Sequence, residues 1–348
     1  MTVSVPLVYL DQNILSEIAK GGFCDLFDKI RSGNMQLVYS HAHIKETAHS
    51  NNQNFQDKVI QAITAMNGAY LHEGQLHFDK SPRLRLDEYL ANPEVYSQIS
   101  GSMAQLAHKF FGGQQGKNFP ALINGQRDTF ETLISHMRKN METLNENEDE
   151  EIRRHLPMLK MLPELIRQEF EKAAPKLSKT LEASIPASET FNGAKEFRSA
   201  VDVAPSTLNN IRPPNVMQKI WAQVVSSGKM PAHLNNVNDF LSNGVWARIN
   251  NGDPSWEAKV GSLYTLLNMF GYWPDDKLHK DDGFRSAMGD QTHSALAAYT
   301  HMLVTCDESM AKKTYAIYEH LGIERIICWY KNDGNGRFNP LIGEGMFC

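Results

Sequence analysis

Two short apolar segments at opposite ends of the chain, each followed by an aspartate, most constrain the fold. "VPLVYL" ends before Asp11, and "MLVTC" ends before Asp307. Apolar runs of this length are typical of strands that are buried on both faces of a parallel sheet. Such strands have their carboxyl ends at one edge, where open α/β sheets bind ligands. If the two strands are neighbours, we expect Asp11 and Asp307 to converge at that edge.

The polar residues after the first segment also have a purely structural interpretation. Asp and Asn are frequent at turns and helix N-caps, and Asn13 is in position to cap a helix that begins at Ile14. An isolated aspartate at a helix start is more often a cap or a favourable partner of the helix dipole than a ligand. The choice between a cap and a functional site therefore depends on the other acids of the chain.

Strand and helix patterns alternate at both ends of the chain. The first fifty residues indicate the order β-α-α-β-α, with "MQLVYS" as the second strand and "HAHIKETAH" as a helix that Ser40 can cap. The C-terminal part indicates a helix, the strand "MLVTCD", a helix that ends at Gly322, and the final strand "RIICWYK". This alternation predicts an α/β fold with a parallel sheet flanked by helices.

The residues between these two ends have a different character. Most of the segment 51–284 has the apolar spacing of helices, although "GQLHFD" predicts one more strand, a candidate for the third in the sheet. We therefore predict a core formed by 1–50 and 285–348. A large, mainly α-helical insertion over 51–284 would interrupt that core and serve as a cleft wall or an interaction module.

The composition is that of an ordinary globular protein. The 348 residues are 41% hydrophobic and have a net charge of −5, which argues against a protein that coats nucleic acid by bulk charge. A local basic groove or an acidic metal site remains compatible with that charge. The four cysteines form no CxxC pair, which is typical of reduced thiols, so we expect a cytoplasmic protein. We expect no signal peptide, because the first residues lack a basic segment followed by a long apolar one. We expect no membrane span, because no apolar stretch approaches about 18 residues.

Four acids have comparable local settings. Asp11 and Asp307 follow strands, Glu46 lies in the helix after the second strand, and Asp290 is predicted to open the helix "GDQTHSALAA". Carboxylates that share a cleft repel one another, which raises their pKa values or requires a cation. Mg²⁺ and Mn²⁺ prefer oxygen ligands and support phosphodiester hydrolysis. The sequence therefore predicts a Mg²⁺ or Mn²⁺ site.

Four segments, "VYLDQNILSEI", "YSHAHIKETA", "MGDQTHSALAAYTHMLVTCDESMAKK" and "GIERIICW", together resemble the PIN-like nuclease domain. The resemblance implies a parallel sheet flanked by helices, a cluster of three or four acids, Mg²⁺ or Mn²⁺, and hydrolysis of RNA, less often of other nucleic acids. It implies that the catalytic and metal-binding residues are Asp11, Glu46, Asp290 and Asp307. Gln12 departs from the family motif, which usually has a smaller Thr or Ser there.

Further residues are predicted to surround the acids. Asn13 and Thr305 are expected to contact the metal ligands or phosphate. His293 is expected to touch phosphate or a metal-bound water, and a core or capping histidine is an equally good interpretation. Lys312 is a candidate contact to the nucleic-acid backbone, although Lys312 and Lys313 also fit the exposed face of an amphipathic helix.

The predicted function is therefore a Mg²⁺- or Mn²⁺-dependent endonuclease that acts on RNA in preference to DNA, as in a bacterial toxin or an antiviral effector. Two alternatives stay open. One is a catalytically silent PIN-like scaffold or interaction protein, and the other is a DNA-directed nuclease of the same fold. Nucleic acid is the expected partner and a membrane is not. The sequence leaves open a homo-oligomer or an inhibitory protein partner.

Overall fold

The architecture is described from a computed structural model of the chain. It describes residues 5–50, 52–72, 74–91, 202–226, 256–278, 280–332 and 338–340, with isolated residues between 135 and 238. Most of the predicted helical insertion between 92 and 201 lies outside the described residues.

The described residues form a seven-stranded sheet with the order β4-β3-β2-β1-β5-β6-β7. The five inner strands are parallel, and β4 and β7 pair antiparallel at the two edges. The strands are β1 (Leu7–Leu10), β2 (Gln36–Ser40), β3 (Ala69–His72), β4 (Gln75–His77), β5 (Met302–Thr305), β6 (Ile326–Asn332) and β7 (Phe338–Pro340). The predicted α/β class with a mostly parallel sheet is confirmed.

Helices precede and follow most of these strands. They are α1 (Gln12–Ala19), α2 (Cys24–Arg31), α3 (His41–His49), α4 (Gln53–Ala65), α5 (Pro82–Ala91), α6 (Pro205–Asn209), α7 (Val216–Ser226), α8 (Trp256–Phe270), α9 (Asp281–Ala297) and α10 (Glu308–Leu321). Ser40 caps α3 as predicted, because its hydroxyl accepts a hydrogen bond from the Ala42 N–H at 3.2 Å. Gly322 ends α10 in the left-handed conformation, at a φ of 68° that glycine adopts without strain.

The strand order reverses at β1. The chain builds β2 and β3 on one side of β1, and β5 and β6 on the other side, with Val8 opposite Met302 and Leu10 opposite Val304. The topological switch point therefore lies between β1 and β5, and parallel α/β sheets bind ligands at such points. The Asp11 N–H continues the ladder and donates to the Val304 carbonyl at 2.8 Å. Asp11 thus lies directly at the switch point.

The predicted third strand differs in position. "GQLHFD" contains β4, whereas the third strand of the parallel sheet is the preceding segment "AYLH", β3. β3 and β4 form a hairpin in which His72 is opposite Gln75, and Gly74 lies between them at a φ of 74°. The segment predicted as a candidate third strand is therefore the second, antiparallel strand of a hairpin.

The chain divides into two compact units, the first composed of 1–92, 194–276 and 285–348, and the second of 93–193 and 277–284. The first unit is larger than the predicted core of 1–50 and 285–348. β3 belongs to its sheet, and α8 supplies the fully buried side chains Leu263 and Leu267 to a cluster that also contains Ile327 of β6. The predicted limits of the insertion, 51–284, therefore cut through a sheet and a hydrophobic core.

Candidate functional site

Asp11 is almost fully buried, with 1% of its surface exposed. Its Oδ2 accepts hydrogen bonds from the Thr305 hydroxyl at 2.9 Å and from the Asn13 side-chain amide at 3.2 Å. Thr305 is the last residue of β5, so the first of these bonds spans the switch point. The interpretation of Asn13 as a helix cap is wrong, because α1 begins at Gln12 and Asp11 takes the N-cap position.

Asp307 and Asp11 share a threonine as a hydrogen-bond partner. The Thr305 hydroxyl donates to Asp11 and accepts from the Asp307 N–H at 3.0 Å. Asp307 also caps α10, since its Oδ1 accepts from the Met310 N–H at 2.7 Å. The expected convergence of the two strand-ending aspartates is therefore present in the structure.

Asp290 reaches the site from the middle of a helix. The prediction that it opens a helix is wrong, because α9 already begins at Asp281 and continues through Gly289. Burial raises the pKa of Asp290 well above its usual value, and the carboxylates of Asp11, Asp275 and Asp307 raise it further.

The pKa of Asp11 is raised for the same reasons. Burial is the main cause, and the carboxylates of Glu46 and Asp307 add to it, while His293 and the Thr305 hydrogen bond oppose it. The four acids predicted from the sequence therefore act on one another electrostatically, although they differ in their partners.

Glu46 is paired with a histidine. Its Oε1 lies 3.0 Å from Nε2 of His293, whose side chain is 1% exposed. Burial alone would raise the pKa of Glu46 and lower that of His293, but their mutual attraction prevails, so the net shifts are downward for Glu46 and upward for His293. A Cβ at Gly289 would lie 2.7 Å from Glu46 Oε1, so the absence of a side chain there permits the close approach of Glu46 to α9.

His293 also begins a buried run of hydrogen bonds. Its Nδ1 lies 2.9 Å from the Tyr9 hydroxyl, which lies 2.8 Å from Ser40 Oγ. Ser40 Oγ is 3.3 Å from Nδ1 of His43, and His43 Nε2 lies 2.6 Å from the Leu10 carbonyl oxygen. The run therefore links Glu46 to the residue before Asp11. Both ring nitrogens of His293 are engaged inside the protein, which favours the core interpretation over the phosphate contact.

The tautomer of His43 follows from its partners. Nδ1 accepts from the Ser40 N–H at 3.0 Å, so the proton is on Nε2, which donates to the Leu10 carbonyl. Burial, with the charge of His293 in addition, lowers the pKa of His43 well below its usual value. With His43 neutral and His293 protonated, each group in the run can donate a hydrogen bond to the next one, from His293 to the Leu10 carbonyl.

The sequence analysis missed a buried lysine and its acidic partner. Lys313 is 0% exposed; its Nζ is bonded to Asp275 and donates to Asn268 Oδ1 at 3.0 Å. The Asn268 amide also donates to Asp275 Oδ2 at 2.9 Å. The expectation of a surface lysine is wrong for Lys313. Its position three residues after Met310 and four before Ile317, both buried, was a usable signal for the inner face of α10.

Tyr264 of α8 completes the interior of the site. It is 0% exposed, and its hydroxyl has no hydrogen-bond partner among the described residues. Burial raises the pKa of Tyr264 well above its usual value, and four carboxylates raise it further. These belong to Asp275, Asp290, Asp307 and Asp11. The Lys313 Nζ lies 4.2 Å from the centroid of the Tyr264 ring.

Lys312 lies against two tryptophans. Its Nζ is 5.4 Å from the ring centroid of Trp329 and 5.8 Å from that of Trp273. Trp329 is opposite Thr305 in the β5–β6 register, so this cluster borders the switch-point edge. We call Lys312, Trp273 and Trp329 the tryptophan platform.

The described ranges contain no group of three or more His, Cys, Asp or Glu side chains arranged to hold a metal ion. None of the helices described here is long and apolar enough to cross a membrane. Comparisons with models of protein families, with curated proteins and with solved structures found no match. Functional interpretation therefore depends on the site itself.

Proposed function

We propose that this protein is a Mg²⁺- or Mn²⁺-dependent endonuclease of the PIN-like type, with its site at the switch point between β1 and β5. The observation that carries the proposal is the set of three neighbouring carboxylates, Asp11, Asp290 and Asp307. In the described part of the chain, none of the three forms an ion pair. Asp11 is buried and Asp290 and Asp307 are partly buried, and neighbouring carboxylates in such places are unfavourable without a cation.

The donor chemistry of these residues fits a hard divalent cation. All three side chains offer carboxylate oxygens, the ligands that Mg²⁺ and Mn²⁺ prefer. Burial, and after it the repulsion of neighbouring carboxylates, raises the pKa values of Asp11 and Asp290, and a bound cation opposes both effects. Because these carboxylates do not form a ready-made ligand group, binding requires that their side chains rotate towards one another.

In this proposal Asp11, Asp290 and Asp307 hold the metal ion. When bound, such an ion lowers the pKa of a water and neutralises charge on the phosphate. Thr305 and Asn13 fix the orientation of the Asp11 carboxylate through their hydrogen bonds. Glu46, whose side chain is 36% exposed and is held by His293, is placed to accept a proton from water at the rim of the site.

The tryptophan platform supports a nucleic-acid substrate. Aromatic faces next to a basic side chain are typical of surfaces that bind single strands, where bases stack and phosphates meet a cation. The preference for RNA over DNA, and a role as a toxin or antiviral effector, rest on the sequence resemblance alone.

The test is cleavage of defined single-stranded RNA and DNA oligonucleotides with Mn²⁺, with Mg²⁺ and with EDTA. We expect cleavage only with a metal, and a loss of about 100-fold or more in Asp11→Asn and Asp290→Asn. Asp87→Asn, which changes an exposed acid of α5, is the matched control and should cut at the wild-type rate. Wild-type rates in Asp11→Asn, or full activity in EDTA, would contradict the proposal. A protein that binds Mn²⁺ and cleaves neither substrate would support the silent scaffold.

A further inference from the structure

The acids of the site differ in how their charge is balanced. Glu46 is paired with His293, and Asp275 is paired with Lys313. The carboxylates without such a partner in the described residues are those of Asp11, Asp290 and Asp307. The charge left for a metal ion to neutralise is therefore that of three carboxylates and not of five.

Lys313 lies among the acids of the site, which we call the acid cluster (Asp11, Asp275, Asp290 and Asp307). Its side chain is fully buried, and it interacts with the carboxylates of Asp290 and Asp307 in addition to Asp275. Asn268 and Asp275 hold its Nζ from two sides. A fixed ammonium at this place repels any cation that enters the cluster, and this repulsion is strong in a poorly solvated interior.

Tyr264 independently points to a ligand at the same place. Its buried hydroxyl has no partner among the described residues, and the four carboxylates of Asp11, Asp275, Asp290 and Asp307 all act on it. A buried donor without an acceptor destabilises the protein, because it has lost its hydrogen bonds to water. An oxygen of a water or phosphate in the cluster would accept this hydrogen bond.

We infer that Lys313 is a built-in cation of the acid cluster, so that the site takes one divalent ion and not two, with Tyr264 donating a hydrogen bond to an oxygen beside that ion. This inference rests on the proposed function. One divalent ion leaves the three free carboxylates with a single negative charge. A second divalent ion would make this set positive next to the ammonium of Lys313, in a place that is poorly solvated.

The inference is tested by counting Mn²⁺ ions bound to the full-length chain, by calorimetry and by electron paramagnetic resonance. We expect one Mn²⁺ per chain in the wild type, with affinity reduced about 10-fold or more in Asp290→Asn. Tyr264→Phe should keep one ion with about 3–10-fold weaker affinity, because only a hydrogen bond is lost.

The decisive comparison uses the lysine and its partner together. Lys313→Met leaves Asp275 without its cation, so a second Mn²⁺ should bind. In Lys313→Met/Asp275→Asn both charges are gone, and the count should return to one. Lys259→Met, at a lysine that also lies over an aromatic ring but outside the site, is the matched control and should bind one ion.

The outcomes separate this inference from the proposed function. Two Mn²⁺ ions in the wild type, or one ion in a folded Lys313→Met protein, would overturn the inference and leave the nuclease proposal standing. One ion without cleavage of any substrate would support the inference and overturn the nuclease proposal. Binding of no ion would overturn both. If Lys313→Met does not fold, the wild-type count decides.

Discussion

Two carboxylates at α9 have opposite net pKa shifts, although burial raises the pKa of both. Glu46 lies against the imidazole of His293, and its pKa falls below the usual 4.5 although burial acts against this. Asp290 lies on the preceding turn of α9 and is surrounded by other carboxylates, so its pKa rises well above the usual 3.8. A partner of opposite charge thus decides whether the charge of an acid in this site stabilises or destabilises the folded protein.

Replacing Asp290 with Asn should stabilise the metal-free protein. The raised pKa of Asp290 means that its charge destabilises the folded state. This effect is fully present above the folded pKa and disappears as pH falls below 3.8, the usual value of an unfolded aspartate. In EDTA at pH 7 we expect the Tm to rise by about 2–4 °C, equivalent to roughly 1 kcal/mol.

The pH dependence of the Tm, measured by circular dichroism, distinguishes this effect from a general one. The increase in Tm caused by Asp290→Asn should shrink towards zero at about pH 4. Asp87→Asn should show no gain at either pH. A gain that is equal at both pH values would show that charge is not its cause. With Mn²⁺ added, the wild type and the Asp87→Asn control should gain more stability than Asp290→Asn, which binds the ion more weakly.

At the level of helices and strands, the sequence predicts well the features that depend only on neighbouring residues. β1, β2, β5 and β6 and the Ser40 cap follow from apolar runs and from a residue type suited to its position. The site is less predictable because its partners are distant in sequence. Asp275 lies in a loop without a motif and becomes part of the site only because Lys313, 38 residues later, is buried against it. Asp290 was identified from its position beside a helical pattern, but its place in the middle of α9 was not predicted.

The contact between α3 and α9 depends on Gly289. A methyl group there would meet Glu46 Oε1 at 2.7 Å, and the end of this side chain can move away without unfolding the helix. We therefore expect Gly289→Ala to break the Glu46–His293 pair and to lower the pKa of His293, while the Tm changes little because alanine favours the helix by about 1 kcal/mol.

Nuclear magnetic resonance of the His293 ring measures this pKa directly. In the wild type its titration midpoint should lie above the usual 6.5, since Glu46 outweighs burial. Gly261→Ala is the matched control, because its methyl group meets only the movable amide of Gln291 at 2.8 Å. An unchanged midpoint in Gly289→Ala would contradict the proposed close contact.

The tryptophan platform makes a prediction about substrate binding. Lys312→Gln should weaken binding of single-stranded RNA by about 3–10-fold and make its salt dependence shallower, by about one phosphate contact. Lys259→Gln is the control, because Lys259 lies 5.1 Å from the ring centroid of Trp256 in an equivalent contact outside the site. Fluorescence anisotropy at several salt concentrations measures both. Equal losses in the two variants would mean that the platform is not a substrate surface.

At the level of the whole molecule, the first unit is assembled from three separate parts of the chain. β3, β4 and α8 all lie within 55–280, the greater part of the predicted insertion, and yet they complete the sheet and the core around the site. Tyr264 and Asp275 come from the same stretch. The sequence resemblance covers only the two ends of the chain, so it could not reveal that the middle contributes to the interior.

Two replacements by a flexible linker should therefore differ sharply. Replacing 93–193, which belongs to the second unit, should leave a folded protein that still binds Mn²⁺. Replacing 55–280 removes two strands and several helices, including the core-forming α7 and α8 and most of α4, and the product should not fold cooperatively. Thermal unfolding and Mn²⁺ calorimetry on both products test this. A cooperative transition with intact Mn²⁺ binding in the second product would show that the predicted core of 1–50 and 285–348 is sufficient.

The pairing of β1 with β5 has a consequence for the synthesis of the protein. Asp307 is synthesised about 300 residues after Asp11, a delay of roughly 15–60 s at 5–20 residues per second. During this interval β1 lacks its neighbour on one side, and the carboxylates have not been brought together. A nascent chain that lacks β5 therefore cannot cut the RNA around it, and the activity that we propose begins only after β5 has been synthesised.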